Sequence, residues 1–288
     1  MDVLPRIEQA LETAMSRAEH PSAPPRLAAA MRHAVFPGGA RVRPRLCLAV
    51  AQACGHDAPE LADAAAVAIE LLHCSSLVHD DLPCFDGADM RRGKPSVHAA
   101  FGEPLAVLAG DALIVHAYEV LAHEGVRWPS RLAGLVTLVS RAVGMPGGIC
   151  AGQAWECEPQ VDLASYHRAK TGSLFAAATM SGALASGHDP EPWRRLGLSI
   201  GEAFQVADDL KDKFCDASET GKPVGQDVTH HRPSACDLGV AGAAERLKSL
   251  MSDAIQSIPD CPGAGELRNL LLSESMRFVP KQIDRWAA

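Results

Sequence analysis

Apolar residues recur at helical spacing along most of the chain, in runs broken by proline and glycine. The densest run, Leu61 to Val78, predicts a buried central helix, with Asp57 and Glu60 as start signals. Pro104 to Leu121 predicts another, with its proline in the first turn. Arg131 to Val143, Leu163 to Leu184 and Pro192 to Asp212 continue the series. The start, Met1 to Glu19, carries Asp2, Arg6, Glu8, Glu12 and Arg17, and reads as a surface helix rather than a signal peptide. Punctuation falls around Pro21–Pro25, Pro37–Gly39, Gly144–Gly148 and Gly187–Pro190. No segment sustains the alternation of a strand, and no heptad or composition shift marks a second domain. The pattern predicts one all-α domain over residues 1–288, a helical bundle. Segment 216–237 departs from it: polar, with Gly221, Pro223, Gly225 and Pro233, it predicts a lid-like or binding loop.

Composition narrows the class. The 288 residues are 47% hydrophobic, enough for a sizeable core, and only 5% aromatic. Abundant alanine favours helix. A net charge of -8 disfavours a nucleic-acid binder. Charges interrupt every long apolar run, which argues against stable membrane insertion. Nine scattered cysteines without a Cys-x-x-Cys pair predict reduced thiols, mostly small buried hydrophobes, in a cytoplasmic setting.

Two aspartate clusters carry the chemistry. Asp80-Asp81-Leu-Pro-Cys-Phe-Asp86 and Asp208-Asp209-Leu-Lys-Asp212 each close a strongly apolar helix. Burying unpaired carboxylates costs several kcal/mol, so cations are expected to offset them, and oxygen-only ligands suit a hard ion such as Mg²⁺. Asp208 and Asp212 are four apart and share a helical face. Asp80 and Asp86 would diverge on a straight helix, but Pro83 between them ends or distorts it, so the chain can bring Asp86 back. Arg91-Arg92-Gly-Lys94, Arg43, Lys170-Thr171-Gly172 and Gly221-Lys222 supply cations. Carboxylates with Mg²⁺ beside Arg and Lys describe a diphosphate site, and no Walker-type loop assigns it to a nucleotide. His79, His98, His116, His230 and His231 show no ligand spacing with cysteine and read as structural or surface residues. His73 lies two turns before Asp80 on the same face, where spacing alone suggests a core histidine.

The chain resembles the trans-isoprenyl diphosphate synthases, or polyprenyl synthetases, from about Ala28 to Ser257. The resemblance rests on Gly38-Gly-Ala-Arg-Val-Arg-Pro44, Leu77 to Asp86, Arg91-Arg-Gly-Lys-Pro-Ser-Val-His98, Leu108-Ala-Gly-Asp-Ala112, Lys170-Thr-Gly172 and Phe204-Gln-Val-Ala-Asp-Asp209. Within the family it looks most like the geranylgeranyl-forming members of carotenoid and bacteriochlorophyll pathways in photosynthetic proteobacteria.

The resemblance implies an isoprenoid synthase-type bundle around a deep cavity, usually a homodimer, that condenses isopentenyl diphosphate with dimethylallyl, geranyl or farnesyl diphosphate. It implies that Asp80, Asp81 and Asp86 face Asp208, Asp209 and Asp212 across the mouth and hold Mg²⁺. It gives the allylic side to Arg91, Lys170 and Lys222, with Thr171 and Gln205 near the nascent cation, and isopentenyl diphosphate to Gly39, Arg43, His73 and Arg92.

In farnesyl-forming members an aromatic residue commonly occupies the position of Ser75, beside Ser76. Serine there implies an open pocket and a longer product, with Ile114, His116 and Tyr118 as candidates for its floor. Two residues depart from the family pattern: Ala40 and Gln226 each stand where lysine is usual. A lost charge-assisted contact is worth roughly 1.5–3 kcal/mol, so isopentenyl diphosphate binds more weakly or another cation, such as Arg41, compensates. The alternatives are a farnesyl diphosphate synthase, a terpene cyclase on the same fold, and a non-catalytic partner subunit. The intact second cluster and Arg91-Arg92 argue against a cyclase, and two intact clusters against a silent subunit.

Overall fold

The computed structural model describes residues 3–36, 38–160, 162–214 and 239–278, apart from a few side chains that include Asp212. The segment expected to form a lid, 216–237, lies outside them.

The described chain is helical, as the apolar spacing predicts. Helix α1 (Val3–Ala18) is amphipathic, burying Ile7, Leu11, Ala14 and Met15 at helical spacing. α2 (Pro25–Val35) and α3 (Val42–Ala53) follow. α4 (Pro59–Asp80) is the axis of the bundle, buried on nearly every side. Its alanines, among them Ala62, Ala64, Ala65 and Ala68, leave room for α3, α6 (Glu103–Gly125) and α10 (Ser173–Ala185) to pack closely around it. Prolines stand in the first turns of α2, α4, α6 and α7 (Pro129–Val143), where their missing N–H costs no helical bond.

α4 and α6 are both long and apolar enough to cross a membrane, but α4 is packed inside the bundle. α6 keeps an exposed edge that includes Val107, Leu108 and Val115.

Two expectations change. A short antiparallel hairpin, β1 (Met90–Arg91) with β2 (Lys94–Pro95), follows α4. Its ladder is too short to alternate visibly. Its turn is Arg92-Gly93, with φ of 54° and 75°, the left-handed pair that a tight hairpin requires. The run from Leu163 to Leu184 is not one helix. α9 (Leu163–His167) passes through a π turn at Arg168–Gly172 before α10 begins, after the short α5 (Val97–Phe101) and α8 (Ile149–Ala154).

α11 (Arg194–Phe214) packs on α10 and on α12 (Gly239–Gln256), where Ala203, Val206, Ala207 and Leu210 meet Ala243, Leu247, Leu250 and Met251. α13 (Ala264–Phe278) closes the described chain. The described cysteines divide rather than cluster in the core: Cys47, Cys54 and Cys74 are buried, Cys261 is half-buried, and Cys84, Cys150 and Cys157 are exposed. The exposed three sit in turns or short helical pieces, where no packed face covers them.

Candidate active site

A cavity of about 370 Å³ opens where α4, α8, the π turn and α11 converge. The inner edge of α4 supplies His73, Ser76, Leu77 and Asp80, at spacings of three, four and seven, so one helical face runs from the floor to the mouth. α4 stops at Asp80, and Asp86 donates its backbone N–H to the Asp80 carbonyl (3.0 Å). This closure returns Asp86 to the cavity beside Asp80, as Pro83 led one to expect. Asp208 lines the wall from α11.

Asp81 and Asp209 do not line the cavity. Neighbours on a helix point about 100° apart, so adjacent carboxylates cannot share one aim. Asp81 is buried and pairs with Arg91, whose Nε lies 2.9 Å from its Oδ1. Arg91 itself lines the cavity from β1. Asp209 is buried and accepts from Gln205 Nε2 (2.8 Å), while Thr171 donates to Gln205 Oε1 (2.9 Å). Thr171 and Gln205 reach the cavity; Asp209 fixes them from behind.

The π turn brings Lys170 and Thr171 to the cavity together. Lys170 Nζ lies 2.6 Å from Glu156 Oε1 and 3.5 Å from Asp80 Oδ1. Tyr166 donates to the same Glu156 oxygen (2.7 Å), and Gln153 to the other (3.2 Å). Sequence reasoning missed Glu156. It lies fourteen residues before Lys170 in a short polar stretch, and no periodicity links the two.

The predicted isopentenyl set falls into two groups. Arg43 lines the cavity from α3 and is largely buried, its Nη1 3.3 Å from His73 Nε2 and its guanidinium 4.3 Å from the Phe175 ring centre. Its Nε is buried without a hydrogen-bond partner. Burial above all pushes Arg43 down to about 10. Burial, reinforced by Arg43, Arg92, Arg91 and Arg41, holds His73 well below the usual histidine range and therefore neutral. Gly39 and Arg92 lie outside the cavity lining but against each other: a Cβ on Gly39 would stand 3.0 Å from the Arg92 guanidinium carbon. Arg91 thus lines the cavity, whereas Arg92 packs against Gly39 outside it.

Arg41 cannot compensate for Ala40. It is buried and committed to Glu70 (2.7 Å), Glu8 (2.8 Å) and the Val35 carbonyl (2.9 Å). Ala40 is exposed beside it. Ser76 is in the cavity wall, its hydroxyl on the His73 carbonyl (2.8 Å). Ser75 faces α6 instead and donates to the Gly110 carbonyl (2.9 Å). His116 is buried against the Ala14 carbonyl (2.9 Å), and Tyr118 donates to Ser140 (3.2 Å). Lys222, Gln226 and the Asp212 side chain lie outside what is described.

The cluster suits a hard divalent ion. Its donors are carboxylate oxygens, and Asp80 Oδ1 is buried with no hydrogen-bond donor on it. Burial, and secondarily Asp86, raises the Asp80 carboxyl above its usual range while Lys170 pulls it down. Added positive charge would stabilise its ionised form. Among the described residues no three His, Cys, Asp or Glu side chains are grouped so that they could hold a metal ion by themselves. Mg²⁺ is commonly held in such an open set, by one or two carboxylates plus waters and substrate phosphate oxygens.

A family model described as polyprenyl synthetase matches residues 24–263. The chain is 57% identical over 279 residues to a geranylgeranyl diphosphate synthase of Cereibacter sphaeroides, covering 96% of this chain and 97% of that one. It is 53% identical to the enzyme of the same description from Rhodobacter capsulatus, covering 97% and 98%. Among solved structures, a geranyltransferase from Helicobacter pylori complexed with magnesium and isoprenyl diphosphate superposes with a TM-score of 0.80 at 30% identity, over 96% of this chain and 98% of that one.

Proposed function

The chain belongs to the polyprenyl synthetase family, and from that premise we propose that its cavity condenses isopentenyl diphosphate with allylic diphosphates, forming mainly geranylgeranyl diphosphate. The observation that carries this reading is the meeting of Asp80, Asp86, Asp208, Arg91 and Lys170 at one cavity mouth, above walls that include Leu77, Ile149, Leu174 and Phe204.

The reaction breaks the allylic carbon–oxygen bond, and the electron pair leaves with diphosphate. Arg91 and Lys170 stand at the mouth to stabilise that charge. Asp80, Asp86 and Asp208, with Asp212, would hold Mg²⁺, which supplies further charge stabilisation on the diphosphate oxygens. Asp81 and Glu156 aim Arg91 and Lys170. The Thr171 hydroxyl and the Gln205 carbonyl oxygen are acceptors beside the nascent allylic cation.

The double bond of isopentenyl diphosphate then attacks that cation, forming the new carbon–carbon bond. Arg43, Arg92 and the backbone at Gly39 grip its diphosphate, and the neutral His73 hydrogen-bonds it. Proton loss completes the product, and the departed diphosphate takes the proton. The apolar walls keep water from the cation.

The protein works as a cytoplasmic homodimer, in which the apolar edge of α6 at Val107, Leu108 and Val115 is covered by a second copy. Its product enters carotenoid and bacteriochlorophyll isoprenoids. The test incubates purified protein with labelled isopentenyl diphosphate, each of three allylic primers, and Mg²⁺ or EDTA. A twenty-carbon product that disappears with EDTA is expected. No condensation with any primer would overturn the reading.

A further inference from the structure

A second concavity, about 830 Å³, lies on the outer side of the wall that carries the catalytic lysine. It runs between α7, the Gly144–Gly148 turn, the π turn, α10 and the start of α11. Its volume is within the range of small-ligand sites, about 300–1,000 Å³.

Small residues make it wide. Ala133, Gly134, Ala176 and Ala177 line it with Leu138 and Met180. Three arginines, Arg141, Arg168 and Arg194, line it too. Arg194 is paired with Glu191. Arg141 and Arg168 are exposed and, among the described residues, have no acidic partner. Two unpaired guanidinium groups over an apolar trough are notable in a chain of net charge -8. The chemistry matches an amphiphile with a multiply charged anionic head and a long hydrocarbon tail.

The groove and the active site share one wall. Arg168 faces the groove and Lys170 the cavity, from the same π turn. At the start of α10, Ser173 faces the groove and Leu174 the cavity. Pro146 and Gly147 face the groove just before Ile149 faces the cavity. The Ser173 hydroxyl lies 2.9 Å from the Ala142 carbonyl and 2.6 Å from the Ala169 carbonyl, tying α7 to the π turn. An anion drawing Arg168 toward Arg141 would therefore load the turn that aims Lys170.

We propose that this groove is a second site for a prenyl diphosphate, the protein's own geranylgeranyl product, and that its occupation slows turnover through the shared wall. The identity of the ligand rests on the condensation proposed above. The diphosphate is held by Arg141 and Arg168, and the tail lies along α7 and α10.

The test combines calorimetric titration with geranylgeranyl diphosphate in Mg²⁺ and product-inhibition kinetics at saturating allylic substrate. Two equivalents per protomer, and inhibition that persists at saturation, are expected of the native protein. Arg141→Glu should weaken the second equivalent by about tenfold or more and relieve the persistent inhibition. Ala133→Trp, which fills the trough without changing charge, should do the same. Both variants should keep the native kcat and KM. An inactive native protein would refute the proposed condensation instead. Native activity with a single equivalent and purely competitive inhibition would overturn the second site. So would a second equivalent that survives both substitutions, or variants that change the sedimentation mass but not the binding, since a second copy would then occupy the groove.

Discussion

Gly152 and Lys170 approach so closely that a Cβ on the glycine would stand 2.4 Å from the lysine backbone nitrogen. The contact seats α8, with Gln153, on the π turn, and Glu156 follows in the next turn of chain. Gly152→Ala must separate the two elements and draw Lys170 from its aim between Glu156 and Asp80. A misplacement of about 1 Å can cost about a hundredfold in rate. The expected result is a folded protein whose kcat falls by about ten- to a hundredfold while the KM for isopentenyl diphosphate moves little. Steady-state kinetics with circular dichroism would check it.

Asp80 is a stability cost that the site retains. Its raised carboxyl pKa means that the folded state binds the proton more tightly than the unfolded chain does. The metal-free protein should therefore lose this penalty as pH falls through the window between the raised value and the ordinary carboxylate value of about 3.9. Asp80→Asn should raise Tm without Mg²⁺, abolish most of the Tm gain on adding Mg²⁺, and lower turnover by orders of magnitude. In the native protein, that Mg²⁺-dependent gain should shrink as pH approaches the same window, because proton and metal compete. Thermal melts across pH, with and without Mg²⁺, decide it. Asp208→Ala should likewise lower turnover by orders of magnitude.

Arg91 lines the cavity and Arg92 abuts Gly39, so their substitutions should separate. Arg91→Ala should raise the KM for the allylic primer more than that for isopentenyl diphosphate, and Arg92→Ala should do the reverse. Equal effects on both substrates would place the two arginines on one phosphate.

Product length should answer first to Ser76, which is in the cavity wall. Ser76→Phe should shift the product toward farnesyl diphosphate at near-native stability. Ser75→Phe should shorten it only by forcing a ring between α4 and α6 at Gly110, and overpacking of that kind costs about 1–3 kcal/mol. Chromatography of dephosphorylated products, read beside the Tm values, separates the two. A twenty-carbon product from Ser76→Phe would send the tail elsewhere.

Arg41 and Glu70 form a buried pair, and removing one partner leaves the other charge uncompensated. Arg41→Ala should cost about 3–5 kcal/mol in denaturant unfolding. Ala40→Lys, on the exposed neighbour, should leave stability unchanged and lower the KM for isopentenyl diphosphate. An unchanged KM would show that no phosphate oxygen is within reach of position 40.

The helices were legible because burial imposes a period, and α4 and α6 follow it over many turns. The carboxylates were legible because Asp80 closes the apolar α4 and Asp208 stands among buried apolar residues inside α11, which runs on past it, where charge is costly. Even the return of Asp86 could be read from Pro83. The aim of each side chain was not. Asp80 and Asp81 look equivalent in sequence, yet their directions follow from where α4 ends. Arg41 looks like a free cation until folding brings up Glu8 and Glu70 from other helices. Glu156 reaches Lys170 only through the fold, and a two-residue ladder such as β1–β2 is too brief to leave a pattern.

The π turn at Arg168–Gly172 changes what a one-residue deletion would do. A π turn is wound one residue wider than the α-helix around it. Removing Ala169 would let α9 and α10 join as one regular helix, the arrangement that backbone hydrogen bonding by itself favours. Because the π turn absorbs that one extra residue, the segments on either side would keep their relative orientation, and only residues within the turn, Lys170 and Thr171 among them, would be re-aimed. The shortened chain would gain helical regularity while Lys170, redirected within the turn, lost its register with Glu156. In a lineage, drift toward local order at this turn would silence the enzyme without unfolding it.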